Sequence, residues 1–312
     1  MESEWRLRGA NRPPAYLALA VAVMAVAGFG IAGALAVGSA VANQVTKTLG
    51  SPVQLNAEKV TPQMSALLHG YGKVTKTTST NWGGYADVAS TVNVTLEAFA
   101  EYFVPTINCD AYPAINDNWV GIDGFASGTV EQAGTYGYCT SAGAGPYYYD
   151  WFEFYPYEGI YTVNAVSPGD LIQAYVLYNP YISVGGNYGI YTLIVDDISN
   201  PSASFSVQGN PSTCNSAGCE SGPDTGAECI SESLTDQGYY LPDYGTTTFY
   251  SCDAEINGHF TGIGGFPSSA HVTTYSITTH GYDSGKVQQK VSKLGTFDYK
   301  DDYFTITWKQ YD

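Results

Sequence analysis

The chain of 312 residues is short of cationic side chains, and the shortage is local. Residues 77–285 contain neither Lys nor Arg. All 12 basic residues sit outside that window, against 29 Asp and Glu, giving a formal net charge of −17. Charged residues of both signs reach only 13%, about half the usual ~25%. A nucleic-acid partner is excluded, because binding phosphates needs a basic surface. Salt bridges are scarce as well, so the domain has little to lose when its carboxylates are protonated. The composition fits an acidic medium. Familiar hydrolase machinery is missing: there is no G-x-S-x-G elbow and no H-E-x-x-H helix. The four histidines, His69, His259, His271 and His280, form no ligand cluster. Neither a metal nor an organic cofactor is implied.

Hydrophobic residues make up 44% of the chain, enough for a substantial core and too many for wholesale disorder. The 27 Tyr and 35 Gly favour strands and tight turns. The amino terminus differs. Residues 13–46 carry no charge, and 15–42 are mostly Ala, Val, Leu, Ile and Gly, preceded by Arg6, Arg8 and Arg12. Such a run can span a bilayer. Ala40-Val41-Ala42 resembles a small-residue cleavage site. The expectation is an apolar signal or anchor helix over 1–42 and an exported, extracellular or cell-surface protein, with membrane anchoring through 15–42 if the segment is retained. Residues 43–79 carry four Lys and one Glu. They read as a basic pro-segment able to cover an acidic cleft at neutral pH, or as a plain stalk.

All six cysteines, Cys109, Cys139, Cys214, Cys219, Cys229 and Cys252, follow this amino-terminal part. An even count in an exported chain suggests disulfides, with fifteen possible connectivities. The simplest set pairs 109 with 139, 214 with 219, and 229 with 252. Asn93-Val94-Thr95 is a possible glycosylation acceptor.

From residue 80 to 312 the pattern is of short strands. Val92, Val94 and Leu96 alternate within 91–104, and segments 171–178, 188–195, 245–250, 271–279 and 304–308 are similar. Turn signals recur, as in Ser167-Pro168-Gly169 and Asn200-Pro201. Many strands with frequent turns predict an all-β, antiparallel two-sheet sandwich of jelly-roll type.

Two carboxylate motifs carry no chemistry on inspection. Asp224-Thr225-Gly226 and Asp283-Ser284-Gly285 resemble aspartic-peptidase tripeptides, but neither follows an apolar strand and both read as ordinary turns. Asp150 and Glu153, three apart on a strand, point to opposite faces and cannot flank one sugar.

Four segments in order are more specific: Asn81-Trp82-Gly83-Gly84-Tyr85; Trp119-Val120-Gly121-Ile122-Asp123-Gly124 leading to Val130-Glu131-Gln132-Ala133-Gly134; Asp150-Trp151-Phe152-Glu153-Phe154-Tyr155-Pro156; and Gly226-Ala227-Glu228-Cys229-Ile230. The series resembles the glutamic peptidases, or eqolisins, from about residue 78 to the end. The resemblance implies a double-sheet jelly roll (concanavalin-like) and an acid endopeptidase acting as a monomer on protein or peptide substrates. It places the catalytic pair at Gln132 and Glu228, with Trp82, Trp119, Asp123 and Glu153 lining the cleft. Glu228 would act as base and then acid on water, and the non-titrating amide of Gln132 would hold the oxyanion. On a strand Gln132 shares a face with Val130, Gly134 and Tyr136, whereas Glu131 points away. Three positions depart from the family pattern: Cys229 replaces a Trp, Ala133 a Thr, and Tyr136 an acid. The competing readings are a non-catalytic carbohydrate-binding or adhesion sandwich using the tyrosines for stacking, and a jelly-roll glycoside hydrolase.

Overall fold

The computed structural model describes residues 74–310 except 91–94, 142–143, 157–158, 185–186, 210–224, 235–236, 281–286, 294 and 299–300. The apolar run 15–42, Cys214, Cys219, Asn93, Asp224 and Asp283 therefore lie outside the described residues, as does most of 43–79. Among the described residues, no helix is long and apolar enough to cross a membrane.

The protein is all-β. In chain order the strands are β1 (Thr75–Ser79), β2 (Trp82–Ala89), β3 (Thr95–Phe103), β4 (Ala114–Asp123), β5 (Val130–Cys139), β6 (Tyr147–Tyr155), β7 (Tyr161–Ala165), β8 (Leu171–Val184) and β9 (Asn187–Asp197). Then follow β10 (Phe205–Gly209), β11 (Gly226–Glu232), β12 (Thr246–Ile256), β13 (His259–Gly262), β14 (Val272–His280), β15 (Val287–Val291), β16 (Gly295–Asp298) and β17 (Asp301–Gln310). Of the segments expected to be strands from their alternation, residues 95–103, 171–178, 188–195, 246–250, 272–279 and 304–308 fall on strands, while Val92 and Val94 lie outside the described residues. Strand β12 runs past its expected end at 250 to Ile256, with a register shift between Phe249 and Ser251 that breaks the period-two pattern. Strand β1, the last five residues of the basic segment, pairs with β14 and is the one parallel pairing described.

Hydrogen bonding arranges the strands in two rows. One runs β7–β6–β5–β4–β11–β2–β14. The other runs β10–β9–β8–β3–β12–β17–β15, and the β14–β15 pairing joins them. Both rows contribute to one apolar cluster: Val120, Ile122, Ala133 and Ala227 from the first meet Ala100, Tyr102, Ile172, Val176 and Phe249 from the second. Alternation along each strand sends these residues inward and their neighbours to the opposite face.

Two disulfides brace this arrangement. Cys109 pairs with Cys139, and Cys229 of β11 pairs with Cys252 of β12. The second bond ties the two rows together through the core, where both its cysteines are buried. Both pairings are among those the spacing suggested.

The middle of the first row is buried on both faces. Every residue of β4 is buried, and so are Val130–Thr135 at the start of β5 and all of β11 up to Ser231. One face is covered by the core. A second apolar cluster, with Trp119, Trp151, Ile230 and Ile277 at its centre and Trp82, Phe125, Tyr136, Ile160 and Tyr275 packed on it, covers the other.

Candidate active site

On this second face, pairing registers align side chains from six strands. Tyr275 of β14 lies opposite Ala86 of β2, Ala86 opposite Glu228 of β11, Glu228 opposite Gly121 of β4, Gly121 opposite Gln132 of β5, and Gln132 opposite Glu153 of β6. Residues directly opposite in a sheet share a face. Glu228 and Gln132 are thus two strand spacings apart, about 10 Å at the backbone, with only a glycine between them. A β-carbon on Gly121 would come within 2.9 Å of the Trp119 ring and 3.0 Å of Val130, so the indole edge floors the gap. The gap that separates the carboxyl from the amide needs a residue with no side chain.

Glu228 is 1% exposed. Its Oε1 accepts the Phe125 backbone N–H at 3.3 Å, and its Oε2 has no protein partner. Burial pushes its pKa well up, and Asp123, Glu131 and Asp87 add to the rise, while the Phe125 N–H opposes it. Gln132 is also buried, its Oε1 unpartnered, and its Nε2 donates to Glu153 Oε2 at 2.7 Å. Burial lifts the Glu153 carboxyl to about 7 despite that bond, with Glu232 contributing in the same direction. Two buried polar atoms without partners, on side chains that flank one glycine, are an arrangement that costs free energy unless a ligand or water completes it.

The other expected site residues fall around this line. Trp82 and Trp119 pack edge to face with centroids 5.1 Å apart. Trp119 is fully buried, and its indole N–H donates to Glu232 Oε2 at 2.8 Å. Asp123 bonds neither Gln132 nor Glu228. Its Oδ1 accepts the backbone N–H and the hydroxyl of Thr225 at 2.8 and 3.0 Å, and burial raises its pKa to about 6. It acts on Glu228 through charge and by bracing the start of β11. Glu131 faces away from the site, opposite Ile122 and Phe154. Asp150 is likewise on the far side of β6 from Glu153, bonded to Asn164.

Glu232 and Asp117 were not anticipated. They stand opposite each other on β11 and β4, four residue pairs along from Glu228 and Gly121 and on the same face. Glu232 also accepts Asn81 Nδ2 at 2.9 Å. Asp117 is fully buried, and burial with the nearby Glu232 and Glu153 drives its pKa well up. The period-two run Glu228, Ile230, Glu232 carried the signal for Glu232. Among the described residues, no three His, Cys, Asp or Glu side chains gather so as to hold a metal ion.

A family model, that of the Peptidase A4 family, matches residues 80–293, more than half the chain. The chain belongs to the Peptidase A4 family. It is a glutamic-peptidase relative and a peptide-bond hydrolase. Its fold is similar to that of scytalido-glutamic peptidase bound to a transition-state-analogue inhibitor, at 20% identity and a TM-score of 0.50, over 74% of this chain and 98% of that one. Two other eqolisin structures are more distant. SCP-B bound to the tripeptide Ala-Ile-His is 18% identical over 74% of this chain and 98% of its own, with a TM-score of 0.45. Aspergilloglutamic peptidase from Aspergillus niger is 22% identical over 62% and 99%, with a TM-score of 0.38. No curated protein sequence matches. The structure accounts for two of this Peptidase A4 member's departures. Cys229 points into the core to bond Cys252, so an indole is replaced by a cross-link. Tyr136 donates to or accepts from Thr162 Oγ1 at 2.8 Å and stands opposite Asp117, which keeps a carboxyl on the neighbouring strand.

Proposed function

We propose that this chain is an exported acid endopeptidase, folded as an antiparallel two-sheet jelly-roll sandwich, in which Glu228 and Gln132 form the catalytic dyad. The supporting observation is the register that sets a carboxyl and an amide on one sheet face on either side of Gly121, with their Oε2 and Oε1 lacking a protein partner. The ionised Glu228 takes a proton from water while the water oxygen bonds to the peptide carbonyl carbon. The carbonyl oxygen becomes an oxyanion held by the Gln132 Nε2–H. The C–N bond then breaks, and the proton on Glu228 passes to the leaving nitrogen, restoring the carboxylate. Glu153 orients the amide, while Trp82 packs on substrate and Trp119 floors the gap. Export is supported by the apolar amino terminus and the disulfides. The enzyme works as a monomer.

The test is digestion of a denatured protein at acidic and neutral pH. Cleavage in acid, abolished by Glu228→Gln and by Gln132→Ala in folded protein, supports the dyad. Full activity in both variants refutes it.

A further inference from the structure

The β4–β5 hairpin loop, residues 124–129, covers the carboxyl that the dyad needs. Its Phe125 N–H reaches Glu228, although Glu228 lies on β11, beyond the paired edge of β4. The Phe125 ring lies against Tyr275 of β14, with centroids 4.6 Å apart. Tyr275 stands on the same register line as Ala86 and Glu228, so a loop whose backbone bonds Glu228 and whose ring rests on Tyr275 reaches over the carboxyl. On the other side, a β-carbon on Gly124 would meet the Trp82 ring tip at 2.9 Å. The loop thus lies against a side chain that is 1% exposed and whose Oε2 is buried without a partner. A peptide and a water cannot both enter that space as it stands.

The loop's base and its body are held differently. Asp123 and Gly124 have φ of 69° and 106°, consecutive left-handed residues at its base. Asp123 is pinned to Thr225. Beyond the hinge, Ser127 Oγ accepts the Gly124 N–H at 3.1 Å and donates to Thr129 O at 2.9 Å, holding the loop's own shape. The loop tip meets the rest of the site through the ring contact with Tyr275, its packing on the second apolar cluster and the bond to Glu228.

We propose that residues 124–129 are a gate on the dyad, closed by the Phe125–Tyr275 ring contact and swinging on Asp123-Gly124 to admit substrate. Opening frees both oxygens of Glu228 for water and breaks the Phe125 hydrogen bond. Hydration also relieves the burial that pushes the carboxyl's pKa up, which favours the ionised base. The inference rests on Glu228 being the base.

The test is labelling of Glu228 by a water-soluble carbodiimide and an amine nucleophile in acid, read by peptide mass mapping of the full chain, with buried Asp150 as the internal reference. Phe125→Ala and Tyr275→Ala should each speed labelling of Glu228 about tenfold over the unmodified protein, the scale of a lost aromatic contact, with Asp150 labelling unchanged. Equal labelling rates in the unmodified protein and both variants overturn the gate. A rise at Asp150 as well marks global loosening and also overturns it. Labelling needs no turnover, so the gate is judged separately from the dyad, whose failure would appear as cleavage surviving Glu228→Gln.

Discussion

Asp150 makes the pH dependence of stability measurable at a single residue. It is fully buried, and no Lys or Arg exists between residues 77 and 285 to pair with it. Its Oδ2 accepts Asn164 Nδ2 at 3.1 Å and its Oδ1 accepts the Asn164 backbone N–H, yet burial raises its pKa from 3.8 to about 7. A carboxyl with a raised folded-state pKa binds its proton more tightly when folded. Its contribution is therefore fully present below the unfolded value near 4 and disappears as pH rises through about 7. At roughly 1.36 kcal/mol per pKa unit, Asp150 removes ~4 kcal/mol of stability between acid and mildly alkaline solution. Asp123, raised to about 6, removes ~3 kcal/mol over a window that ends lower. Together these approach the whole stability of an ordinary domain, ~5–15 kcal/mol. Urea unfolding followed by tryptophan fluorescence, repeated from acid to mildly alkaline pH, should show stability falling steadily. Asp150→Asn loses an acceptor for Asn164 and starts less stable in acid, but its decline should be shallower by ~4 kcal/mol. A stability that rises with pH, or an Asp150→Asn curve parallel to the unmodified one, refutes the reasoning.

Three further outcomes follow from the site. Gly121→Val should cut kcat/KM at least tenfold in a peptide-cleavage assay, because its side chain enters the gap between Glu228 and Gln132 where the Trp119 ring is already 2.9 Å away, and overpacking costs ~1–3 kcal/mol. Replacing Cys229 and Cys252 together by Ala should lower stability by ~3 kcal/mol in acid, since the bond closes a loop spanning 23 positions. Chemical denaturation of the double variant checks it. Glu153→Ala should lower kcat more than it raises KM, because the Gln132 amide loses the partner that orients it. Steady-state kinetics on one peptide separates the two.

The strands legible from period-two alternation are β14 and five of the second row, whereas β4, β5 and β11, which carry the site, are buried on both faces and show no polar alternation. The sorting of Gln132 from Glu131 needed nothing beyond that period. The 229–252 disulfide was legible as a near neighbour in sequence, but its role in joining the two rows was not. Registers were not legible at all. That Gly121 lies between Glu228 and Gln132, and that Asp117 faces Glu232, depends on β11 pairing with β4 across more than a hundred positions, which no local pattern encodes. The same limit applies to Phe125. Only the spatial neighbourhood of β11 and β14 brings it to Glu228. Asp123 is a motif position expected to line the cleft, and its bonds to the Thr225 backbone N–H and hydroxyl were not legible in that motif. The low-charge composition pointed to acid tolerance through missing salt bridges. The buried, unpaired carboxyls carry that further: acid solution is where the fold holds its protons and its stability.

The central claim is tested most directly by the structure of this chain with a peptide whose scissile bond is replaced by a tetrahedral hydroxyl-bearing isostere. The account predicts the tetrahedral carbon over Gly121, one oxygen about 2.7–3.1 Å from Glu228 Oε2 and the other at the same distance from Gln132 Nε2. An inhibitory isostere seated away from β4, or with neither oxygen touching these two side chains, contradicts it.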